Sequence, residues 1–254
     1  FSNPIVLCSL LISLIIIGIF VKRQITISNP LLNLKIFNNK ILCFSTITSM
    51  IIMLSMVGPA LLIPLYVQNA LGLSALLSGL VIMPGAIING IMSVFTGKFY
   101  DKYGPRPLIF TGFILLISCT FLLCFLKVDT SYTYLIVIYA IRMFAVSLLM
   151  MPINTTGINA LKTEDISHGT AIMNFGRVMA GSLGTALMVT FMSIGAQWVV
   201  SSSEHASKEM IQRQSVAVGV DVSFALVTVF VIIAFVLALF IKEPNHLTHN
   251  SRKV

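Results

Sequence analysis

Residues Ile41 to Val67 read ILCFSTITSMIIMLSMVGPALLIPLYV and contain no charged side chain. A helix needs about 20 predominantly apolar residues to cross the ~30 Å hydrocarbon core of a bilayer, whereas a transmembrane β-strand needs only about 10. The stretch is therefore too long for a barrel strand. Because every backbone amide in lipid needs an internal hydrogen-bond partner, the stretch predicts a membrane-spanning α-helix.

The composition of the whole chain extends this prediction. The 254 residues are 57% hydrophobic and 9% charged, with a mean hydropathy of +0.99, whereas soluble domains carry about 25% charged residues. Charged or Gly/Pro-rich breaks separate further apolar runs. We predict an all-α polytopic membrane helix bundle with about seven spans, which are Pro4–Val21, Ile41–Val67, Leu76–Thr96, Pro107–Leu126, Tyr132–Ile153, Thr170–Val199 and Val222–Ile241.

The basic residues are distributed unevenly over the connections between these spans. If the first span starts outside, the outer connections hold only three of the 16 lysines and arginines, which are Lys127, Lys208 and Arg213. Cytoplasmic connections of membrane proteins are enriched in basic residues, so this orientation is favoured and places the C-terminus in the cytoplasm. The same bias explains the net charge of +8 without invoking nucleic acid.

Cysteine, histidine and carboxylate positions argue against a metal site or an active site. The four cysteines lie inside apolar runs, where cysteine is an ordinary packing residue. The four histidines lie in connections or near span ends, and no Asp or Glu lies in the middle of a span. We therefore predict no cofactor and no enzymatic activity.

The connection between the third and fourth spans, GKFYDKYGPRP, concentrates charge in a chain that has little of it. Gly97 is expected to end the third span, and Gly104 can adopt the left-handed backbone of a turn at low cost. Pro105 and Pro107 suit the first turn of the next helix. The pattern predicts a tight hairpin at the cytoplasmic side.

Asp101 is the one carboxylate of this connection. It is expected to pair with Lys98 or Lys102, or to face the positive N-terminal end of a neighbouring helix. A generic basic loop that only orients the chain in the membrane is the alternative.

The spacing G-x-x-x-D-[RK]-x-G-x-R in this connection resembles the inner-loop motif of the major facilitator superfamily, at Gly97, Asp101, Lys102, Gly104 and Arg106. Three other segments, PLLNLKIFNN, LLIPLYVQNALGLSALLSGLVIMPG and MNFGRVMAGSLGTALM, resemble in order the second half of the fourteen-span drug:proton antiporters of the EmrB/QacA type. The resemblance covers nearly the whole chain. In the superfamily this loop is a conformational latch, which implies the same role for Asp101 and its neighbours here.

The resemblance implies the major facilitator fold. Residues 41–254 would form the C-terminal six-helix transporter half with a short cytoplasmic tail, and residues 1–40 the last of the extra central spans with a cytoplasmic amphipathic linker. An N-terminal half would be missing, so we expect the sequence to start inside a longer carrier. A natural half-carrier that dimerises or serves as a membrane assembly subunit is the alternative.

The implied function is a proton-driven multidrug efflux antiporter of a bacterial cell membrane, which exports amphipathic or cationic organic compounds by alternating access. Its partners would be the substrate, protons, the lipid bilayer and the missing half. Because no carboxylate lies within a span, we expect the proton-coupling acid in that half. Transport of another small metabolite by the same fold stays open.

Arg142 lies about ten residues into its span and therefore ~15 Å deep, beyond easy snorkelling. A charge there costs roughly 2.5–3.5 kcal/mol on insertion scales, which favours either a functional arginine or a structural one bonded to helix carbonyls. Together with Tyr139, Asn89 and Met53 it is predicted to line the translocation path. Asn89 also suits the alternative of a hydrogen bond to a neighbouring helix.

Small residues on the sixth span predict close helix packing rather than binding. They recur at helical spacing and let two backbones approach one another. The members of this face are Gly176, Ala180, Gly181 and Gly184.

Overall fold

The structure is a computed structural model that describes residues 4–27, 33–202 and 208–241. The described residues contain no strand and form seven α-helices: α1 (Pro4–Thr26), α2 (Lys40–Asn69), α3 (Ala75–Tyr103), α4 (Pro105–Leu122), α5 (Tyr132–Asn159), α6 (Ile166–Ser202) and α7 (Lys208–Leu239). Six of them, α2 to α7, are long and apolar enough to cross a membrane. The predicted all-α membrane bundle is confirmed.

Helices α2 and α5 form the centre of the bundle. Helix α2 packs against α3, α5, α6 and α7, and α5 packs against α2, α3 and α4. Two apolar clusters fill the space between them, one around Phe113 and Leu149 and the other around Tyr66 and Phe224. Most side chains of α3 and α6 that point away from this core are exposed.

Consecutive spanning helices alternate in direction, so the starts of α2, α4 and α6 lie at one end of the bundle with the last turns of α3, α5 and α7. We call this the basic end, because it carries the described basic residues Lys35, Lys40, Lys98, Lys102, Arg106 and Lys162. Lys127 and Arg213 lie at the opposite end.

The segment before α2 docks on the basic end. The Asn39 side chain caps α2: its Oδ1 accepts a hydrogen bond from the Ile41 backbone amide at 3.0 Å. Its Nδ2 donates a hydrogen bond to the Ala160 carbonyl at 2.7 Å. Asn33 donates to Asp165 at 3.2 Å. Within residues 33–39, the part of the linker that the structure describes, the backbone forms a short 3-10 helix, Leu34–Asn38. The division at residue 40 stays a prediction.

The turn between α3 and α4 is tighter than the sequence suggested. Gly97 does not end α3, which continues to Tyr103. A glycine inside a helix costs only about 1 kcal/mol relative to alanine, and no proline stops the helix before Pro105. Gly104 alone makes the turn, with a φ of 77°, and Pro105 is already the first residue of α4.

The last spanning helix begins earlier than the predicted start of its span at Val222. Residues 203–207 lie outside the described part, but α7 begins at Lys208 and includes Asp221. Two glycines account for the long α6–α7 contact: a methyl group on Gly195 would lie 2.8 Å from the Gly219 Cα. Only glycine at both positions lets the two backbones pack this closely.

This contact predicts that Gly195→Ala destabilises the protein although alanine is the better helix former. The methyl group would overlap backbone, and overpacking of this kind costs about 1–3 kcal/mol. Gly18→Ala is the matched control, because nothing lies within 4 Å of that position. Thermal unfolding of the purified protein measures both; equal melting temperatures for the two variants would refute the close contact.

Candidate functional site

The most unusual side chain of the bundle is Arg142 on α5. It is 0% exposed and is the largest fully buried side chain among the described residues. Its Nη2 donates a hydrogen bond to the main-chain carbonyl of Ser55 on α2. The guanidinium therefore joins the two central helices inside the membrane-spanning part of the bundle.

The Ser55 carbonyl needs this donor because of Pro59. In an α-helix a carbonyl accepts from the amide four residues later, and proline has no N–H to give. Pro59 stands four residues after Ser55 inside α2. In a medium without water an unpaired carbonyl costs free energy comparable to a lost hydrogen bond. Arg142 replaces the missing amide.

Two other donors of Arg142 are unused. Its Nε and Nη1 are buried and have no hydrogen-bond partner among the described residues. Tyr139, one turn earlier on α5, is 1% exposed and closes this region toward α3. A guanidinium presents its donors in a fork that fits a carboxylate or phosphate with two parallel bonds. The site thus retains capacity for an anionic group.

Asn89 on α3 is tied to the same helix as Arg142. Its side-chain amide donates to the Met143 carbonyl at 3.0 Å, which is the hydrogen bond to a neighbouring helix that the sequence left open. Ser93 and Thr96 bond to carbonyls of their own helix. Gly85 lets α3 approach α5, since a methyl group there would lie 2.8 Å from a Tyr139 ring carbon. The structure thus brings Asn89, Tyr139 and Arg142 together along α5.

Met53 lies apart from these three residues, on the side of α2 that meets α6. It is half-buried, and its Cγ would lie 3.9 Å from a methyl group on Gly181. The small residues of α6 face α2 here: a methyl group on Gly184 would lie 3.0 Å from the Leu54 Cα, and one on Gly176 would lie 3.0 Å from a Met50 sulfur. Ala180 is 4% exposed.

At the basic end, Asp101 is exposed and makes no ion pair or hydrogen bond with the residues that the structure describes. The expected local pairing is therefore not seen. Instead the ammonium groups of Lys98 and Lys102 lie 5.7 Å and 5.2 Å from the rings of Phe95 and Tyr103. Such contacts hold each lysine against its own helix. Asp101 is left available for a partner from another element.

Two contacts at the opposite end were missed by sequence reasoning. The Tyr66 hydroxyl donates to the Lys127 carbonyl at 2.5 Å, and an Asp221 oxygen accepts from the Leu126 amide at 2.9 Å. Together they tie the last turns of α2 and the middle of α7 to the α4–α5 connection. The extended helix α7 brings Asp221 to this rim. The sequence carries no local signal for either bond, because both partners of each are far apart along the chain.

Comparison with known proteins gives consistent matches. The family model described as Major Facilitator Superfamily matches residues 4–185. The chain is 36% identical over 240 residues to "Lincomycin resistance protein LmrB" of Listeria monocytogenes, which covers 94% of this chain and 51% of that protein. It is 41% identical over 189 residues to "Uncharacterized MFS-type transporter YhcA" of Bacillus subtilis, 74% of this chain and 36% of the relative.

A more distant match is "Multidrug export protein EmrB" of Escherichia coli, 25% identical over 191 residues, 75% of this chain and 37% of the relative. The chain thus spans about half the length, or less, of the curated relatives that it matches.

The Arg142–Ser55 bond predicts a specific non-additivity. Arg142→Met leaves the Ser55 carbonyl unpaired and should lower the free energy of unfolding. In a Pro59→Ala background the new amide pairs that carbonyl, so the same substitution should lower the free energy of unfolding by about 1–3 kcal/mol less. Pro64→Ala is the matched control, because Pro64 frees the carbonyl of Ala60 rather than that of Ser55. The measurement is thermal unfolding of the four proteins of each cycle. Additive effects in the Pro59 cycle, or equal coupling in the Pro64 cycle, would contradict the assigned role.

Proposed function

The chain belongs to the major facilitator superfamily, and from this premise we propose that it is a proton-driven efflux carrier for amphipathic or cationic organic compounds. The observation that carries the proposal is the similarity, at 36% identity over 94% of the chain, to a protein named for lincomycin resistance. The similarity to a protein named for multidrug export supports the same conclusion. Bacterial relatives and six spanning helices make it a multi-pass bacterial membrane protein.

Its six spanning helices act, in this proposal, as one half of an alternating-access carrier whose second half supplies another six-helix bundle. The exposed faces of α3 and α6 leave room for such a partner. Alternating access moves one half against the other around a site near the bilayer midplane. One proton that falls through 100 mV yields ~2.3 kcal/mol. A hundredfold substrate gradient requires ~2.8 kcal/mol, so one or two protons per substrate suffice.

The substrate class follows from the side chains of the central helices. Helix α2 carries Met50, Met53 and Met56, all half-buried, and α5 carries Met143 and Met150. Methionine is flexible and polarizable and adapts to apolar ligands of different shape. We assign the path to these methionines together with Arg142, Tyr139 and Asn89.

The orientation proposed is the one with the basic end in the cytoplasm, which also puts the C-terminus there. Asp101 then lies at the cytoplasmic surface, exposed and without a partner among the described residues. We assign to it, with Gly97, Lys102, Gly104 and Arg106, a latch that engages the other half in one conformation and releases it in the other. The positive end of a helix is a suitable counterpart for the carboxylate.

Proton coupling is assigned to a carboxylate of the second half. The described helices offer Asp221 as an alternative acid, but it lies at the rim opposite the basic end, where it accepts the Leu126 amide. A coupling group must be reached from both sides of the membrane. Arg142 has two unused donors, but it is fully buried in its own half, so a carboxylate of the second half would reach them only after the helices around Arg142 move.

The proposal is tested by proton-driven efflux of ethidium or lincomycin from vesicles that contain the full-length protein. Wild type should expel the compound when a proton gradient is imposed, and a protonophore should abolish efflux. Asp101→Asn should slow efflux at least ~10-fold, a loss equivalent to about 1.4 kcal/mol, with normal protein abundance. Asp129→Asn, an exposed acid at the other end, is the control and should transport normally. Absence of gradient-dependent efflux in wild type would refute the function, and normal efflux by Asp101→Asn would refute only the latch.

Arg142 requires a design that separates transport from folding. Arg142→Met alone is expected to lose both, so the informative protein is the double variant with Pro59→Ala, in which the Ser55 carbonyl has an amide partner again. We expect this variant to fold and to remain inactive, because the two unused guanidinium donors are gone, while Pro59→Ala alone keeps measurable efflux. Efflux is normalised to folded carrier. Wild-type efflux by the folded double variant would make Arg142 purely structural.

A further inference from the structure

A cavity of about 420 Å³ opens at the basic end, between the first turn of α4, the last turns of α5 and the last turns of α7. It lies away from Arg142 and from the proposed path. Its walls are mostly apolar, and the residues that matter most for its chemistry are Arg106, Phe110, Thr156, Phe235, Ala238 and Ile241. Of the residues given a role above, only Arg106 of the proposed latch lines this space.

The apolar wall is a preformed surface that opens toward lipid. Phe235 of α7 packs against Phe110 and Phe113 of α4, with 5.5 Å between ring centroids in each pair. Phe110 is 51% exposed and Leu239 is 60% exposed, so the cavity has an open side at the level where the spans end. An acyl chain buries apolar area against such a wall without any rearrangement.

The cavity is lined by polar groups that can donate hydrogen bonds to an anion. Thr156 is 1% exposed, and its hydroxyl has no hydrogen-bond partner among the described residues. No side chain caps α4. Because Pro105 and Pro107 have no N–H, the Arg106 amide is the one donor of this first turn without an intrahelical acceptor. The Arg106 side chain adds a full positive charge, and the positive end of the α4 dipole faces the same space. Ser45, Thr48 and Tyr100 also have buried hydroxyls without a partner among the described residues, but of these four only Thr156 lines the cavity.

These features select an anion attached to an apolar tail. A neutral apolar compound would leave Thr156 and the Arg106 amide unpaired, and an organic cation would meet Arg106 with the wrong sign. A free phosphate would use the donors but leave the apolar wall open. The basic end also carries Lys35, Lys40, Lys98, Lys102 and Lys162, which favours negatively charged headgroups at this boundary.

We propose that this cavity binds an anionic phospholipid, with the phosphate at Arg106, Thr156 and the first turn of α4 and one acyl chain along Phe110, Phe235 and Ile241. The lipid joins α4, α5 and α7 at the end where α4 turns back from α3. This site is independent of the transported compound, so its test does not depend on efflux.

The test is native mass spectrometry of the intact protein, titrated with palmitoyl-oleoyl phosphatidylglycerol or with the phosphatidylcholine of the same chains. Wild type should retain the anionic lipid at least ~3-fold more tightly than the zwitterionic one. Arg106→Gln should weaken phosphatidylglycerol retention roughly 10-fold, as expected for one charge-assisted hydrogen bond. Thr156→Val should weaken it roughly 3-fold, and Ala238→Phe, which fills the cavity, should also weaken it.

Lys162→Gln is the matched control, because it removes an exposed cation from the same end without touching the cavity. Equal retention of the two lipids, or unchanged phosphatidylglycerol binding in Arg106→Gln and Ala238→Phe, would overturn the proposal. If Lys162→Gln lost phosphatidylglycerol retention as strongly as Arg106→Gln, the retention would depend only on the total charge of this end, and the proposal would also be overturned. Displacement of the lipid by low-millimolar inorganic phosphate would identify a free-anion site instead.

Discussion

The bundle depends on how α2 satisfies its backbone where Pro59 interrupts it. In water the free carbonyl of Ser55 would bond to solvent, but in hydrocarbon a partner has to come from the protein. Arg142 provides that partner from α5. The cost of a buried guanidinium is offset by the carbonyl that would otherwise be unpaired. Arg142, whose burial in the membrane costs free energy, thus lies where the backbone of α2 lacks a hydrogen-bond donor.

Several other features are arranged around this contact. Gly85 and Asn89 hold α3 against the segment of α5 that carries Arg142. The small residues of α6 hold α2 from its other side. Helices α2 and α5 are therefore held together, and two buried guanidinium donors have no acceptor among the described residues. These two donors suit an anionic group from another part of the carrier. On this basis we connect the structural role of Arg142 with the proposed transport.

The sequence alone was sufficient for the fold class, because apolar runs of span length report directly on the medium in which a helix lies. The resemblance to the major facilitator superfamily is likewise confirmed. The sequence was misleading about where the last spanning helix begins. Residues 208–221 are polar enough for a loop but belong to α7, which meets α6 in close backbone contact at Gly195 and Gly219. Gly97 was predicted to end the third span, but α3 continues past it to Tyr103. In a sequence, a glycine that a helix tolerates cannot be told from one that ends the helix.

For the candidate site, depth and charge singled out Arg142 but could not distinguish a functional from a structural role. The distinguishing signal was nevertheless present in the sequence, as a proline four residues after Ser55 on a helix that faces α5. It could not be used without knowing that these two helices are neighbours. The contacts of Tyr66 and Asp221 with the α4–α5 connection are of the same kind. Their partners meet only after all the helices have packed.

The most direct measurement of the central contact is the distance between the Arg142 guanidinium nitrogens and the Ser55 carbonyl carbon in a lipid bilayer. Rotational-echo double-resonance NMR can provide it, with ¹³C-carbonyl serine and guanidinium-¹⁵N arginine in the intact protein and Arg142→Lys as the reference that removes the pair. The Ser55 carbon is expected to show dephasing that corresponds to about 4 Å, consistent with a hydrogen bond to its oxygen, and the reference should lose it. Identical dephasing in both proteins would show that Arg142 does not bond the carbonyl that Pro59 leaves free.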